Sequence, residues 1–201
     1  NMGRAYAENI EIVNPGVTIS DKRFPKTQNP SFVYMGRLKP YKNIDIAISA
    51  FSEVSKKYPE ATLTIAGFGE IINDLKKLVR KLNLEEKVKI LGWVTEGEPK
   101  LKLLSESWVA IQPSSFEGWG ITVLEANALG TPVIASDEVG LRDSVIANRT
   151  GLLFRLEDPN GLTNTLKKIL RDEVLRKVLS ESARQWSENF SWSQKADAVQ
   201  S

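Results

Sequence analysis

The chain is 201 residues long and 41% hydrophobic, with 27 Lys and Arg against 25 Asp and Glu, a formal net charge of +2. That length supplies a substantial core, and the near balance of charge excludes bulk attraction to nucleic acid or to an anionic membrane. Neither cysteine nor histidine is present, which excludes disulfides, thiolate and imidazole metal sites, a Cys nucleophile and any Ser-His-Asp arrangement.

Residues 1–31 hold one candidate strand, Ile10 to Val13, and then Asn14-Pro15-Gly16 and a polar, Pro-interrupted stretch. This is the composition of a linker with an extra edge strand. From Phe32 onward, short apolar runs alternate with longer segments of helical period. Phe32-Val33-Tyr34-Met35 reads as a strand, and Ile44 to Tyr58 as an amphipathic helix with Ile44, Ala47, Ile48 and Phe51 inward. Strand Ala61 to Ala66 and a helix from about Glu70 to Leu82 follow. Strand Val88 to Leu91 leads to a helix near Pro99 to Leu104, and strand Trp108 to Ile111 to a helix from about Gly120 to Leu129. Strand Pro132 to Ala135 closes the series. After Thr150-Gly151 come a short strand, Leu152 to Phe154, and two helices, Pro159 to Leu170 and Asp172 to Asn189. Ser191-Trp192-Ser193 is the cap of a further helix that the chain barely begins.

Five βα repeats of about 25 residues predict a doubly wound, Rossmann-like α/β fold, a parallel sheet with helices on both faces. Residues 32–190 are expected to form that domain, with 1–31 as interdomain linker and edge strand and 191–201 as the start of a truncated helix. The chain reads as a domain excised from a larger protein. No run approaches the roughly 20 apolar residues of a spanning helix, and no signal peptide opens the chain, so a cytoplasmic location is expected. Asn148-Arg149-Thr150 and Asn189-Phe190-Ser191 match the glycosylation sequon, a pattern common by chance.

Right-handed crossovers put all strand C-termini on one edge, where ligands of open α/β sheets bind. The loops there are Gly36 to Asn43, Gly67-Phe68-Gly69-Glu70, Gly92-Trp93-Val94, Pro113 to Thr122, and Ser136-Asp137. Glycine at a strand end also serves as ordinary punctuation, yet four of these five loops carry it and no strand interior does. Their convergence predicts a crevice that includes Gly67 and Gly69. Arg37 and Lys42 stand where a helix is about to start, a natural diphosphate site, whereas Lys39 between them reads as solvated surface. Gly118-Trp119-Gly120 precedes a helix whose free N–H groups can hold part of the same anion. Glu117 and Glu125 flank it. On one helix they would lie about 12 Å apart, beyond the roughly 5–9.5 Å of paired glycosidase carboxylates, so separate roles are expected.

Other chemistries lack their residues. There is no Gly-Lys-Ser/Thr after a glycine loop, no third fingerprint glycine after Gly67-Phe68-Gly69 (Ile72 stands there), and no acidic residue ending the first strand. A Gly-x-Ser-x-Gly elbow is absent, and Glu96-Gly97-Glu98, the nearest mimic of an Asp-x-Asp metal motif, reads as a solvated turn.

In order along the chain stand Met35-Gly36-Arg37-Leu38 with Lys42-Asn43, Ile65-Ala66-Gly67-Phe68-Gly69, Ile90-Leu91-Gly92-Trp93-Val94 and Pro113-Ser114 through Glu117-Gly118-Trp119-Gly120. Leu124-Glu125-Ala126, Gly130 to Ser136 and Thr150 to Phe154 follow. From about Val13 to Trp192 this pattern resembles the retaining, nucleotide-sugar-dependent glycosyltransferases of family 4, also called group 1, which have the two-Rossmann GT-B fold. The Glu-x7-Glu element, in order with the others, is its specific part.

The resemblance implies a donor-binding domain for a nucleoside diphosphate sugar (UDP, GDP or ADP), in an enzyme that transfers a hexosyl group. It implies that Arg37 and Lys42 bind the diphosphate and replace a metal ion, with no cofactor and no metal ligands. Glu117 would lie against the transferred sugar and Glu125 against the ribose hydroxyls. Backbone of Gly118, Trp119, Gly120, Ile121 and Thr122 would contact sugar and phosphate, and Trp93 and Val94 would border the base. The implied partner is an N-terminal acceptor-binding domain, through which any peripheral membrane contact would run. One departure is the loop Val139-Gly140-Leu141-Arg142, with one glycine where the family often has two. An epimerase or phosphorylase of the same GT-B fold, or a non-catalytic nucleotide-sugar-binding module, remains the alternative.

Overall fold

The structure is a computed structural model that describes residues 16–20 and 22–192. The candidate strand Ile10 to Val13 and Ser193 of the final cap lie outside the described residues.

The fold begins with β1 (Ser31–Met35), a single 3-10 turn at Pro40–Lys42, and α1 (Ile44–Ser55). It continues through β2 (Thr62–Ala66), α2 (Ile72–Lys81), β3 (Val88–Gly92), α3 (Glu98–Glu106), β4 (Val109–Gln112) and α4 (Ile121–Ala128). Then come β5 (Val133–Ser136), α5 (Leu141–Ser144), β6 (Gly151–Phe154), α6 (Gly161–Arg171) and α7 (Glu173–Glu188). Every strand of the periodic reading is present, with ends shifted by a residue or two.

All pairings are parallel, in the order β3-β2-β1-β4-β5-β6. This is the dinucleotide-binding order, so the chain reverses direction across the sheet between β1 and β4. The short run at Leu152 to Phe154 becomes β6, the edge strand beside β5, in register from Val133↔Gly151 to Ser136↔Phe154.

Alternation along the strands builds a core on each face. Phe32 and Tyr34 of β1 join Ile48 and Phe51 of α1, Leu75 of α2 and Leu166 of α6. Val33, pointing the other way, joins Leu104 of α3, Val123 of α4 and Leu141 of α5. The rings of Phe32 and Phe51 meet edge-on, centroids 6.1 Å apart. Asp172 caps α7, its carboxylate accepting from the Leu175 N–H at 2.8 Å.

The described part of the expected linker packs against this domain. Phe24 N–H donates to Ser105 Oγ at 2.9 Å, and the Trp108 indole N–H to Thr27 O at 2.7 Å. Val17 bridges to Ser191, and its N–H donates to Phe190 O at 2.7 Å. A third small core forms where Val17 and Phe190 meet Leu124. Among the described residues, no helix is long and apolar enough to cross a membrane.

Candidate donor-binding site

Beyond the C-terminal ends of β1, β2 and β3 the backbone ladder continues into the loops. Gly36 N–H donates to Ala66 O at 3.0 Å, Leu38 N–H to Phe68 O at 2.9 Å, and Gly67 N–H to Gly92 O at 2.7 Å. So close a fit needs glycine. Gly67 has φ +150°, and a Cβ there would strike the carbonyl of Gly36. Gly69 lies against the Leu38 backbone in the same way. The result is a cavity of about 170 Å³ whose walls include Arg37, Gly67, Phe68, Trp93, Val94 and Thr122.

Arg37 is exposed and, among the described residues, has no carboxylate within ion-pair distance. Its guanidinium is therefore free to take an anion. Phe68 and Trp93 stand 55% and 64% exposed at the same cavity, with ring centroids 5.4 Å apart and planes inclined at 63°. Two large apolar rings are thus left in water beside a cation, inclined edge to face.

At the switch point, the loop after β1 is stitched to the loop after β4. Asn43 Nδ2 donates to Pro113 O at 3.0 Å, and Ser115 donates twice to Tyr41 O, from its N–H at 2.9 Å and from Oγ at 3.1 Å. The buried ammonium of Lys42 is bound to Glu117 Oε1, the acid expected against the sugar. Ser114 Oγ lies 3.4 Å from the same oxygen. Beneath this pair, the Tyr34 hydroxyl donates to Arg37 O at 2.9 Å. Burial first, and the charge of Glu117 second, push the Tyr34 pKa up, so the phenol stays a neutral donor. Placing opposite charges across the two loops fixes where Glu117 sits before any ligand arrives.

The rest of the Glu-x7-Glu element divides. Glu117 precedes α4, so the two acids do not share one helix. Gly118 is exposed, and a Cβ there would meet nothing. Gly120 caps α4 in a left-handed conformation, and having no side chain it makes no side-chain capping hydrogen bond to the first turn. Thr122 lines the cavity, but Trp119 turns away, its ring 6.0 Å from that of Phe190 in the third core. Only its backbone is left for the cleft. Ile121 and Glu125 line a neighbouring groove of about 680 Å³ instead. Glu125 Oε1 accepts from Lys100 Nζ at 2.6 Å.

Two contributions were given no place in the site by the sequence. Lys100, with Glu96, lines both the cavity and the groove. Glu96 reads from the sequence as part of a solvated turn and Lys100 carries no mark at all, because Lys100 meets Glu125 only when α3 and α4 pack together. The second is Gly140, the single glycine of the loop after β5. It has φ +85°, and a Cβ would strike the carbonyl of Glu117. This loop thus presses on the Glu117-Gly118 backbone with one glycine in place of two. Lys39 pairs with Glu70 at 2.9 Å, both partly exposed, in keeping with a surface role.

A family model described as "Glycosyl transferases group 1" matches residues 18–186. The chain is similar to the glycogen synthase of Mycobacterium tuberculosis, 33% identical over an alignment 202 positions long that covers 98% of this chain and 48% of that protein. The chain thus spans about half the length of this relative. In fold it is similar to TarM of S. aureus, solved with UDP, with a TM-score of 0.85 at 22% identity, covering 99% of this chain and 41% of that one. It is also similar to HepE of Anabaena, solved with UDP-glucose, with a TM-score of 0.76 at 23% identity, covering 86% of this chain and 49% of that one.

Proposed function

The chain belongs to the group 1 glycosyl transferases, and on that premise we propose that it forms the C-terminal, donor-binding half of a retaining enzyme that transfers a hexosyl group from a nucleoside diphosphate sugar to an acceptor. The observation that carries this reading is the Lys42–Glu117 pair at the switch point, reached from the Arg37 cavity along one loop. The UDP and UDP-glucose held by the two structural relatives support a nucleotide as ligand.

In this reading the base lies on Phe68 and Trp93, with Val94 at its edge, and the diphosphate lies over Arg37 and the uncapped start of α4. As the bond between the anomeric carbon and the diphosphate oxygen breaks, negative charge builds on the departing nucleotide. Arg37 stabilises it from the free side of the cavity. Lys42 has three N–H donors, so it can hold Glu117 and still donate to the phosphate. The exposed guanidinium of Arg37 and the buried ammonium of Lys42 together take the place of a metal ion here. Glu117, held at one oxygen by Lys42, presents the other to a sugar hydroxyl. Its place is assigned before the donor binds, which lowers the ordering cost at the reaction centre.

The acceptor belongs to a second domain in this reading, consistent with the share of the relative's length that the chain spans. The test is to incubate the full-length protein with nucleotide sugar, with and without acceptor, and to read the product's anomeric configuration by NMR. Transfer with retention is expected. Inversion would overturn the retaining assignment, and release of an epimerised donor without acceptor would favour an epimerase of the same fold.

A further inference from the structure

Lys100 occupies an unfavourable place for a cation. It lies in the first turn of α3, where the helix dipole repels positive charge. Its side chain is only 15% exposed. Two carboxylates compensate: Glu125 Oε1 at 2.6 Å, and both oxygens of Glu96 at 3.1 and 3.2 Å. Burial works against its charge, but hydrogen bonds and charge from Glu125 and then Glu96 outweigh it and raise the ammonium's pKa. The cation is therefore a fixed part of this wall at neutral pH.

Its position is equally specific. Lys100 borders both the cavity of Arg37 and Trp93 and the groove that contains Glu125. Thr122 and Glu125 are three apart on α4, on one face, with Thr122 in the cavity and Glu125 in the groove. Glu125 commits one oxygen to Lys100, and among the described residues Oε2 accepts no hydrogen bond. A carboxylate held at one oxygen and open at the other is set to receive a hydroxyl in a single orientation.

We infer that Lys100 is a positioning residue of the donor site, holding the Glu125 carboxylate so that its free oxygen accepts the ribose hydroxyls. This rests on the donor-binding reading above. It adds a residue of α3 to a site otherwise built from the loops after β1 to β4 and the first turns of α4. It also adds Glu96, whose carboxylate shares the ammonium at 3.1 and 3.2 Å.

Calorimetric titration tests it, using UDP, GDP and ADP and the 2′,3′-dideoxy form of each, on wild type, Lys100→Met and Lys100→Arg. Lys100→Met is expected to weaken binding of the ribonucleotide about tenfold, the loss of one charge-assisted contact. It should leave the dideoxy analogue's weaker affinity unchanged, because that ligand has no hydroxyl for Glu125 to receive. Lys100→Arg should restore most of the loss. Lys100→Gln, which keeps a polar, uncharged N–H donor one bond shorter, guards against misfolding of the Met variant, and thermal unfolding is followed for each. Equal weakening of both ligands, or of neither, overturns the positioning role while leaving the donor-binding reading intact. Failure of the wild type to bind any of the three nucleotides overturns both.

Discussion

At the scale of residues, the site is held by pairs that join separate elements, one between two loops and one between two helices. Lys42 and Glu117 are 75 residues apart in sequence, and Lys100 and Glu125 are 25 apart. A buried ammonium that loses its carboxylate keeps its desolvation cost, so Glu117→Gln is expected to destabilise the fold by about 1–3 kcal/mol. Thermal unfolding measures this, and an unshifted midpoint would mean that the pair does not hold the two loops. The glycines make a sharper prediction. Gly67→Ala must separate the loops after β1 and β2, since its Cβ has no space beside the Gly36 carbonyl. Strain of this kind costs about 1–3 kcal/mol. The same shift moves Arg37, so nucleotide affinity and stability should fall together; loss of stability alone would detach Arg37 from the cavity wall. Arg37, Lys42 and Glu117 stood out as candidates in the sequence because their loops carry glycine in a recognisable order, and Glu125 because it follows Glu117 on the next helix. Lys100, Glu96 and Phe68 were not assigned roles, because their partners are set by packing between elements.

At the scale of elements, hydrophobic period carried most of the information. The inward set of α1 (Ile44, Ala47, Ile48 and Phe51) is fully buried. Phe51 abuts Phe32 across the sheet surface, so Phe51→Ala is expected to cost about 3–5 kcal/mol in a chemical denaturation series. A loss below about 1 kcal/mol would show that the cavity collapses and that this face is loosely packed. Where the period is too short to read, the sequence was silent. α5 spans only Leu141–Ser144, a single turn, and its start depends on the positive φ of Gly140. Trp119 is the opposite case. It lies within the Gly-Trp-Gly segment and suggests a ligand contact, but its ring serves the core shared with Phe190. A motif places the backbone, and tertiary packing decides the direction of a bulky side chain inside it.

At the scale of the molecule, strand order converts these local features into one site. With β1 and β4 adjacent at the centre, the loops bearing Lys42 and Glu117 meet at the point where the winding reverses. That the strands are parallel followed from the alternation of strands and helices, but their order, the inclusion of β6 as a sixth strand and the docking of residues 22–30 along the domain depend on long-range contacts. The central claim is that this crevice binds a nucleoside diphosphate through Arg37. Titrating the chain by calorimetry with UDP, GDP and ADP, as wild type and as Arg37→Ala, tests it most directly. One nucleotide is expected to bind, and the variant to bind it roughly 10- to 150-fold more weakly, the value of one charge-assisted contact. Equal affinity for wild type and Arg37→Ala would contradict the account.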